Sequence, residues 1–319
     1  MKFNIKRVSL SDIDRDNPFY RITTRESVDD VADSIACIGL IHPPFVLERA
    51  ASRYTIVSGF RRIEAFRRLK RPEIDVAVIA SDTRPGDCVM LAVAENSLQR
   101  PLNQLEQSRA YRLLYGCFRE DQEVEKISKA LKLPSTLTII HKLKRLCDLP
   151  PAIQQAILSE TISMPTAFEL NKLTEPEGLR FIRLFTRLKL SLNKQRQVMN
   201  LAGEISAREG ISISDVLDDT VLQAVLENEE MDRGHKSGKT ISLLKKRRFP
   251  EISRFESEFE CNMKQLKLGK EIKLIPPPHF EGTVYTLSLQ FEDRADLLRR
   301  RKTIDQMLEN PVFTRIIKK

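Results

Sequence analysis

Residues 54–71, YTIVSGFRRIEAFRRLKR, constrain this chain more than any other stretch. Tyr54 to Val57 alternate in strand fashion, Ser58 and Gly59 break the run, and Ile63, Ala65, Phe66 and Leu69 return at helical spacing. The pattern predicts a strand, a tight glycine turn and a helix. A helix N-terminus presents unpaired N–H groups and a partial positive charge, and a glycine lets an anion come close to the backbone. Arg61 and Arg62 add planar forks of donors. The chemistry suggested is phosphate binding. Basic first turns also occur as solvated helix surface, so these residues alone leave both readings open.

Composition widens the case without deciding it. A chain of 319 residues exceeds the size at which one hydrophobic core keeps growing, so two or three domains are expected. Its 53 Lys and Arg against 44 Asp and Glu give a net charge of +9, which makes a polyanion a plausible partner because phosphate neutralisation releases counterions. Aromatics are only 6% and tryptophan is absent, which favours Leu, Ile and Ala packing between helices. Cys37, Cys88, Cys117, Cys147 and Cys261 are odd in number, scattered and without a C-x-x-C pair, and so read as thiols of a reducing compartment. The start, MKFNIKRVSL, lacks an apolar signal core, and no run approaches eighteen apolar residues. Cytoplasmic residence without a membrane is the expectation.

Taken in order, residues 5–10 predict a short strand. SVDDVADSIACI predicts a helix over residues 27–38 with Ser27 as N-cap, Asp30 closing a capping arrangement and Gly39 ending it. Phe45 to Leu47 and Tyr54 to Val57 pair across a turn at Ala50 to Ser52, and Ile74 to Ile79 is a further strand. Cys88 to Ser97 is helical and delivers Glu95, Asn96 and Arg100 in ENSLQR. A carboxylate beside an amide, with an arginine a turn later, suits a hydrated Mg²⁺ and a phosphate oxygen; a charged helix end is the plainer account.

From Leu105 the chain becomes almost wholly helical. Helices are predicted over residues 105–115, 124–131, 135–146, 151–158, 164–173, 176–188, 190–208 and 213–226. Residues 124–131 and 135–146, joined by Lys132, Leu133 and Pro134, have the spacing of a helix-turn-helix. Its second helix buries Leu137, Ile140, Leu143 and Leu146, and leaves Ser135, Thr136, Thr138, His141, Lys142 and Arg145 to reach bases or phosphates. Two helices of an ordinary bundle would carry the same pattern. The polar run ENEEMDRGHKSGKT, residues 227–240, is the best linker candidate. Beyond it a helix over 249–266, strands over 271–275 and 284–291 and a helix over 295–308 outline a small α/β domain. Its basic runs, residues 245–248 and 299–302, read first as solvated surface.

Over about residues 3–175 the order of features resembles the ParB family of chromosome and plasmid partition proteins. GLIHPPFVL is similar to the family's G-L-x-Q-P strand entry, YTIVSGFRRIEAFRRL to its G-E-R-R-x-x-A box, and AENSLQRPLNQLEQSRAY to E-N-L-Q-R-x-x-L-N-x-x-E-x-A. The helix-turn-helix follows, and then LPPAIQQAILSETISMPTAFEL. The resemblance implies an α+β protein: a ParB/sulfiredoxin-like α/β domain over 1–104, a helical DNA-binding domain over 105–226, the linker and an α/β domain over 241–319. It implies CTP and Mg²⁺ as ligands, with Ser58, Gly59, Arg61 and Arg62 around the phosphates, Gly39 and His42 beside the nucleotide, and Glu95 and Asn96 by the metal with Arg100 near. It also implies double-stranded DNA with a centromere-like site, a ParA-type ATPase partner, a homodimer that closes as a clamp, and association with the nucleoid.

The departures carry their own expectations. Phe60 stands where the family has an acidic residue, which removes a carboxylate from the phosphates and implies at most a weak CTPase. His42 replaces a glutamine, and Pro134-Ser135-Thr136 replaces a basic helix start. The C-terminal region, unlike the family's short leucine-rich segment, suggests a plasmid, phage or mobile-element version and is assigned to dimerisation through strand edges. Other functions on the same fold are a nuclease, which wants clustered acidic ligands, a sulfiredoxin-type activity, which wants a cysteine at the turn, and a transcription regulator or nucleoid-occlusion protein.

Overall fold

A computed structural model describes residues 2–50 and 53–317. Ala51 and Ser52, in the turn expected between two strands, lie outside the described residues. The fold class is α+β, as expected, and the chain divides into two compact units, Met1–Ile182 and Arg183–Lys319. The helix-turn-helix therefore groups with the N-terminal sheet, not with the helices beyond residue 183.

The first unit is built on five strands, β1 (Phe3–Ser9), β2 (Ile13–Asp14), β3 (Phe45–Glu48), β4 (Tyr54–Ser58) and β5 (Glu73–Ile79), in the order β1-β5-β3-β4-β2. β1 runs antiparallel to β5, β3 antiparallel to β4 with a bulge at Phe45/Val46, and β3–β5 and β2–β4 are parallel pairs. Every residue of β4 is buried, because both of its faces are covered. Tyr54 and Ile56 join Val46, Ile74 and Val76 in a core with α1 (Asp29–Ile38) and α2 (Phe60–Arg68). The other face meets α3 (Pro85–Ser97), whose Cys88, Val89, Ala92 and Val93 are wholly buried. α1 begins two residues later than expected: its N-cap is Val28, while Ser27 Oγ accepts from Asp29 N at 3.4 Å.

Helices α4 (Gln104–Cys117), α5 (Asp121–Ala130), α6 (Leu137–Lys144), α7 (Pro151–Leu158), α8 (Met164–Leu170) and α9 (Glu175–Leu188) follow. Asn103 and Glu106 form a reciprocal capping box that starts α4.

In the second unit α10 (Leu192–Glu209) packs against α11 (Ile213–Leu217) and α13 (Arg233–Arg248). The single helix expected over 213–226 is interrupted, because the Asp219 carboxylate accepts from Val221 N and Leu222 N and starts a new helix, α12 (Thr220–Glu227). The expected linker is corrected too. Residues 233–240 are the first half of α13, capped by Asp232 accepting from His235 N at 2.9 Å. Its inner face is Ser237, Thr240, Ile241 and Leu244, a helical repeat whose first two members are polar and so escape a hydropathy reading.

α14 (Pro250–Leu266), the hairpin β6 (Ile272–Ile275) with β7 (Thr286–Leu289), and α15 (Arg294–Glu309) follow the expected order. A final helix not anticipated, α16 (Pro311–Ile317), buries Val312 and Ile316 one turn apart. With Leu266, Leu274 and Met307 they close a small core. Among the described residues, no helix is long and apolar enough to cross a membrane.

Candidate nucleotide cleft and nucleic-acid interface

β4 delivers buried Ser58 to the turn, and Gly59 takes φ +93°, which L side chains rarely adopt. A Cβ at Gly59 would meet the Pro44 Cβ at 2.6 Å and its Cα at 2.9 Å, so the position requires glycine on two grounds. Gly59 O accepts from Arg62 N and Ile63 N, so the Phe60 and Arg61 N–H groups precede the first hydrogen bond of α2.

In front of this turn lies a cleft of about 450 Å³. Gly39, His42, Ser58, Gly59, Arg61, Arg62, Glu95, Asn96 and Arg100 all line it, so every residue expected at a nucleotide site falls on one concavity. Arg25, Asp30 and Gln99 line it as well, and none of the three is expected at a binding site from the sequence. Four arginines against two carboxylates leave the cleft cationic.

The arginines are not loose forks. Arg61 pairs with Asp30 and donates through Nε and Nη2 to Ser27 O at 3.0 and 2.8 Å. That pairing holds the Asp30 carboxyl below its ordinary range. Arg62 donates through Nη1 to His42 O at 2.7 Å and Pro43 O at 3.2 Å, and reaches Glu95 at 3.4 Å. Burial pulls its guanidinium below the usual arginine value, partly offset by Glu95. Arg100 is held by both oxygens of Glu106. Asn96 donates Nδ2 to Ala92 O of its own helix at 2.8 Å. His42 is exposed and Gly39 has φ +81°.

Phe60 is half-buried against the sheet core, so the departure at this position is a packing residue. Among the described residues, no group of three or more His, Cys, Asp or Glu is placed to hold a metal.

The helix pair α5 and α6 differs from the expected three-residue turn. Six residues, 131–136, separate the helices. Lys132 takes φ +53°, Pro134 disfavours helix in the residue before it, and Ser135 and Thr136 precede α6, with Thr136 extended at its N-cap. Arg145 belongs to the 3₁₀ turn that follows α6. Leu137 is only half-buried, while Ile140, Leu143 and Leu146 are buried as expected.

Thr136, Thr138, His141, Lys142 and Arg145 are exposed, and Ser135 is half-buried. His141 Nε2 lies 3.2 Å from Asp121 Oδ2, and Asp121 Oδ1 accepts from Tyr115 OH at 2.6 Å. Arg145 stacks 5.0 Å over the Phe168 ring, and Lys144 sits 4.2 Å over that of Tyr115. Among the described residues, Thr138 and Lys142 make no side-chain hydrogen bond or ion pair.

Residues 2–97 match the family model described as the ParB N-terminal domain. A probable chromosome-partitioning protein ParB of Helicobacter pylori is 30% identical over 149 residues, which cover 46% of this chain and 49% of that protein. A nucleoid occlusion protein of Listeria innocua is 29% identical over 139 residues, covering 44% and 47%. The chain thus spans about half the length of the curated relatives it matches. A C-terminally truncated ParB of Caulobacter crescentus, solved on the centromeric parS site, is 19% identical with a TM-score of 0.35, covering 60% of this chain and 96% of that one. The same protein complexed with CTP-γ-S is 20% identical with a TM-score of 0.27, covering 57% and 99%. The glycine turn and the mixed sheet lie within the matched residues, the cleft runs on past them to Gln99 and Arg100, and over residues 2–97 the chain matches the ParB N-terminal domain family.

Proposed function

We propose that this chain is a partition-type DNA-binding protein whose N-terminal cleft takes a cytidine triphosphate with Mg²⁺ and whose α5–α6 pair engages duplex DNA. The observation that carries the reading is the convergence of the Gly59 turn, the start of α2 and four arginines on one cleft. The names of the relatives, chromosome partitioning and nucleoid occlusion, support duplex DNA as the partner.

The donor set fits the ligand. Backbone N–H groups and guanidiniums suit phosphate oxygens, and one carboxylate with one amide oxygen, Glu95 and Asn96, is the small protein share that Mg²⁺ takes when phosphates supply the rest. A bound nucleotide would bring the negative charge the cleft lacks, and Arg62 would hold its place through the His42 and Pro43 carbonyls. Phe60 offers no carboxylate beside the phosphates, so we infer slow turnover at most. The chain works on this reading as a homodimer with a ParA-type ATPase, and the β6–β7 hairpin, whose β7 strand is largely exposed, is the proposed pairing surface.

Calorimetry with CTP, ATP, GTP and UTP, with and without Mg²⁺, tests the cleft. CTP binding that needs Mg²⁺ and is lost in a folded Arg62→Ala variant is the expected result. Binding of none of the four by the wild-type chain would defeat the proposal. Brisk CTP hydrolysis that Phe60→Glu leaves unaltered would defeat the inference of slow turnover.

A further inference from the structure

The outward arc of α6 is narrower than the sequence suggests, because some of its polar residues are already engaged. At ~100° per residue the exposed positions run round the helix from His141 through Arg145, Thr138 and Lys142 to Ile139. His141 at one flank is tethered to Asp121, and Arg145 lies beyond the helix over Phe168. What remains free is Thr138, Ile139 and Lys142, two of them in the first turn, where Ile139 N and Ile140 N bond Thr136 O. The first turn of the second helix in such a pair is the part that reaches base edges.

Ile139 is the anomaly on this arc. It is 43% exposed at the end of the arc, next to the Lys142 that follows one turn later, while its chain neighbour Ile140 is fully buried. A β-branched apolar side chain there leaves much of its surface open to solvent. In the major groove, the apolar feature of a base pair is the C5-methyl group of thymine.

Resting on the DNA reading above, we propose that Ile139 determines specificity by packing against a thymine methyl, with Thr138 beside it on the base edges and Lys142 holding a phosphate. Lys142 then sets affinity at every sequence, and Ile139 sets preference at one base pair.

The test starts from the duplex that the full chain selects out of a random library, with each thymine then replaced in turn by deoxyuridine, which lacks only the methyl. One replacement should weaken wild-type binding about fourfold, the worth of one buried methyl group. Ile139→Ala should bind both duplexes alike, Ile139→Thr, which keeps a methyl, should recover part of the discrimination, and Lys142→Ala should bind more weakly yet discriminate as the wild type does. Circular dichroism melts of the variants, expected to match the wild type because the residues are exposed, keep misfolding out of the comparison. No methyl-sensitive thymine, or equal sensitivity in Ile139→Ala, overturns the role of Ile139 while leaving DNA binding standing. Failure to select any duplex removes the DNA reading and this inference together.

Discussion

Glu106, with none of its surface open to solvent, receives both ends of the Arg100 guanidinium at 2.7 Å. It also accepts from Thr24 N at 3.0 Å and Asn103 N at 3.1 Å, so one carboxylate joins the loop before α1, the segment that follows α3 and the start of α4. Burial pushes this carboxyl up, and its donors, Arg100 foremost, outweigh that and leave it below the ordinary range.

Removing the carboxylate leaves a guanidinium and two N–H groups without their acceptor. Glu106→Ala should cost about 3 kcal/mol, read as a lower urea midpoint. Glu106→Gln isolates the pH dependence. A depressed folded pKa contributes stability above the unfolded value of about 4.3 and loses it as pH falls through the folded value. The gap between wild type and Glu106→Gln should therefore be full at neutral pH and close in acid. A gap constant down to pH ~2 would contradict the depressed value.

Gly59→Ala meets both the positive φ and the Pro44 backbone. Strain and overpacking together should cost about 3 kcal/mol. Equilibrium unfolding in urea measures it, and a loss under ~1 kcal/mol would mean that the turn relaxes freely.

Tyr111 is fully buried and donates its hydroxyl to Pro134 O, pinning the connection between α5 and α6 to α4. Tyr111→Phe should cost about 1–2 kcal/mol by orphaning that carbonyl. Burial pushes the phenol up to about 12. A raised folded pKa gives stability that is full below the unfolded value of about 10 and lost as pH rises through the folded one. The advantage of wild type over Tyr111→Phe should thus shrink only in strong alkali, in parallel melts from neutral pH upward.

Lys142 and Arg145 separate by their surroundings. Lys142→Ala should flatten the plot of log affinity against log salt by about 0.9, the release of one counterion. Arg145→Ala should change it less, because that guanidinium rests on Phe168. Equal changes would place both side chains on phosphates alike.

The strand, turn and helix at residues 54–71 were legible because each rests on a local signal: β4 residues suited to a buried strand, a glycine where φ must be positive, and Ile63 and Phe66 on one helix face. The convergence of Gly39, Gly59 and Glu95 on one cleft is non-local and came through the order of motifs, not through any residue alone. Asp30 reads from the sequence as closing a cap, but α1 has no side-chain cap and the Asp30 carboxylate binds Arg61 instead, a bond that nothing in its spacing signals. Glu106 stands in a quoted motif, yet its burial becomes visible only once three elements meet on it. The start of α6 lies two residues past the one the sequence suggests, because Thr136 takes an extended conformation and serves as N-cap to a helix that begins at Leu137. α13 was missed because Ser237 and Thr240, polar by type, lie on its inner face.

The Asp232-capped helix has a mechanical consequence. A disordered tether of fourteen residues would let whatever hangs from it wander and would dilute any second grip it makes. A continuous helix of 16 residues from Arg233 to Arg248 instead spans roughly 24 Å as a strut of fixed length. Its packing against α10, α12 and α14 keeps the two ends of that strut at a set separation.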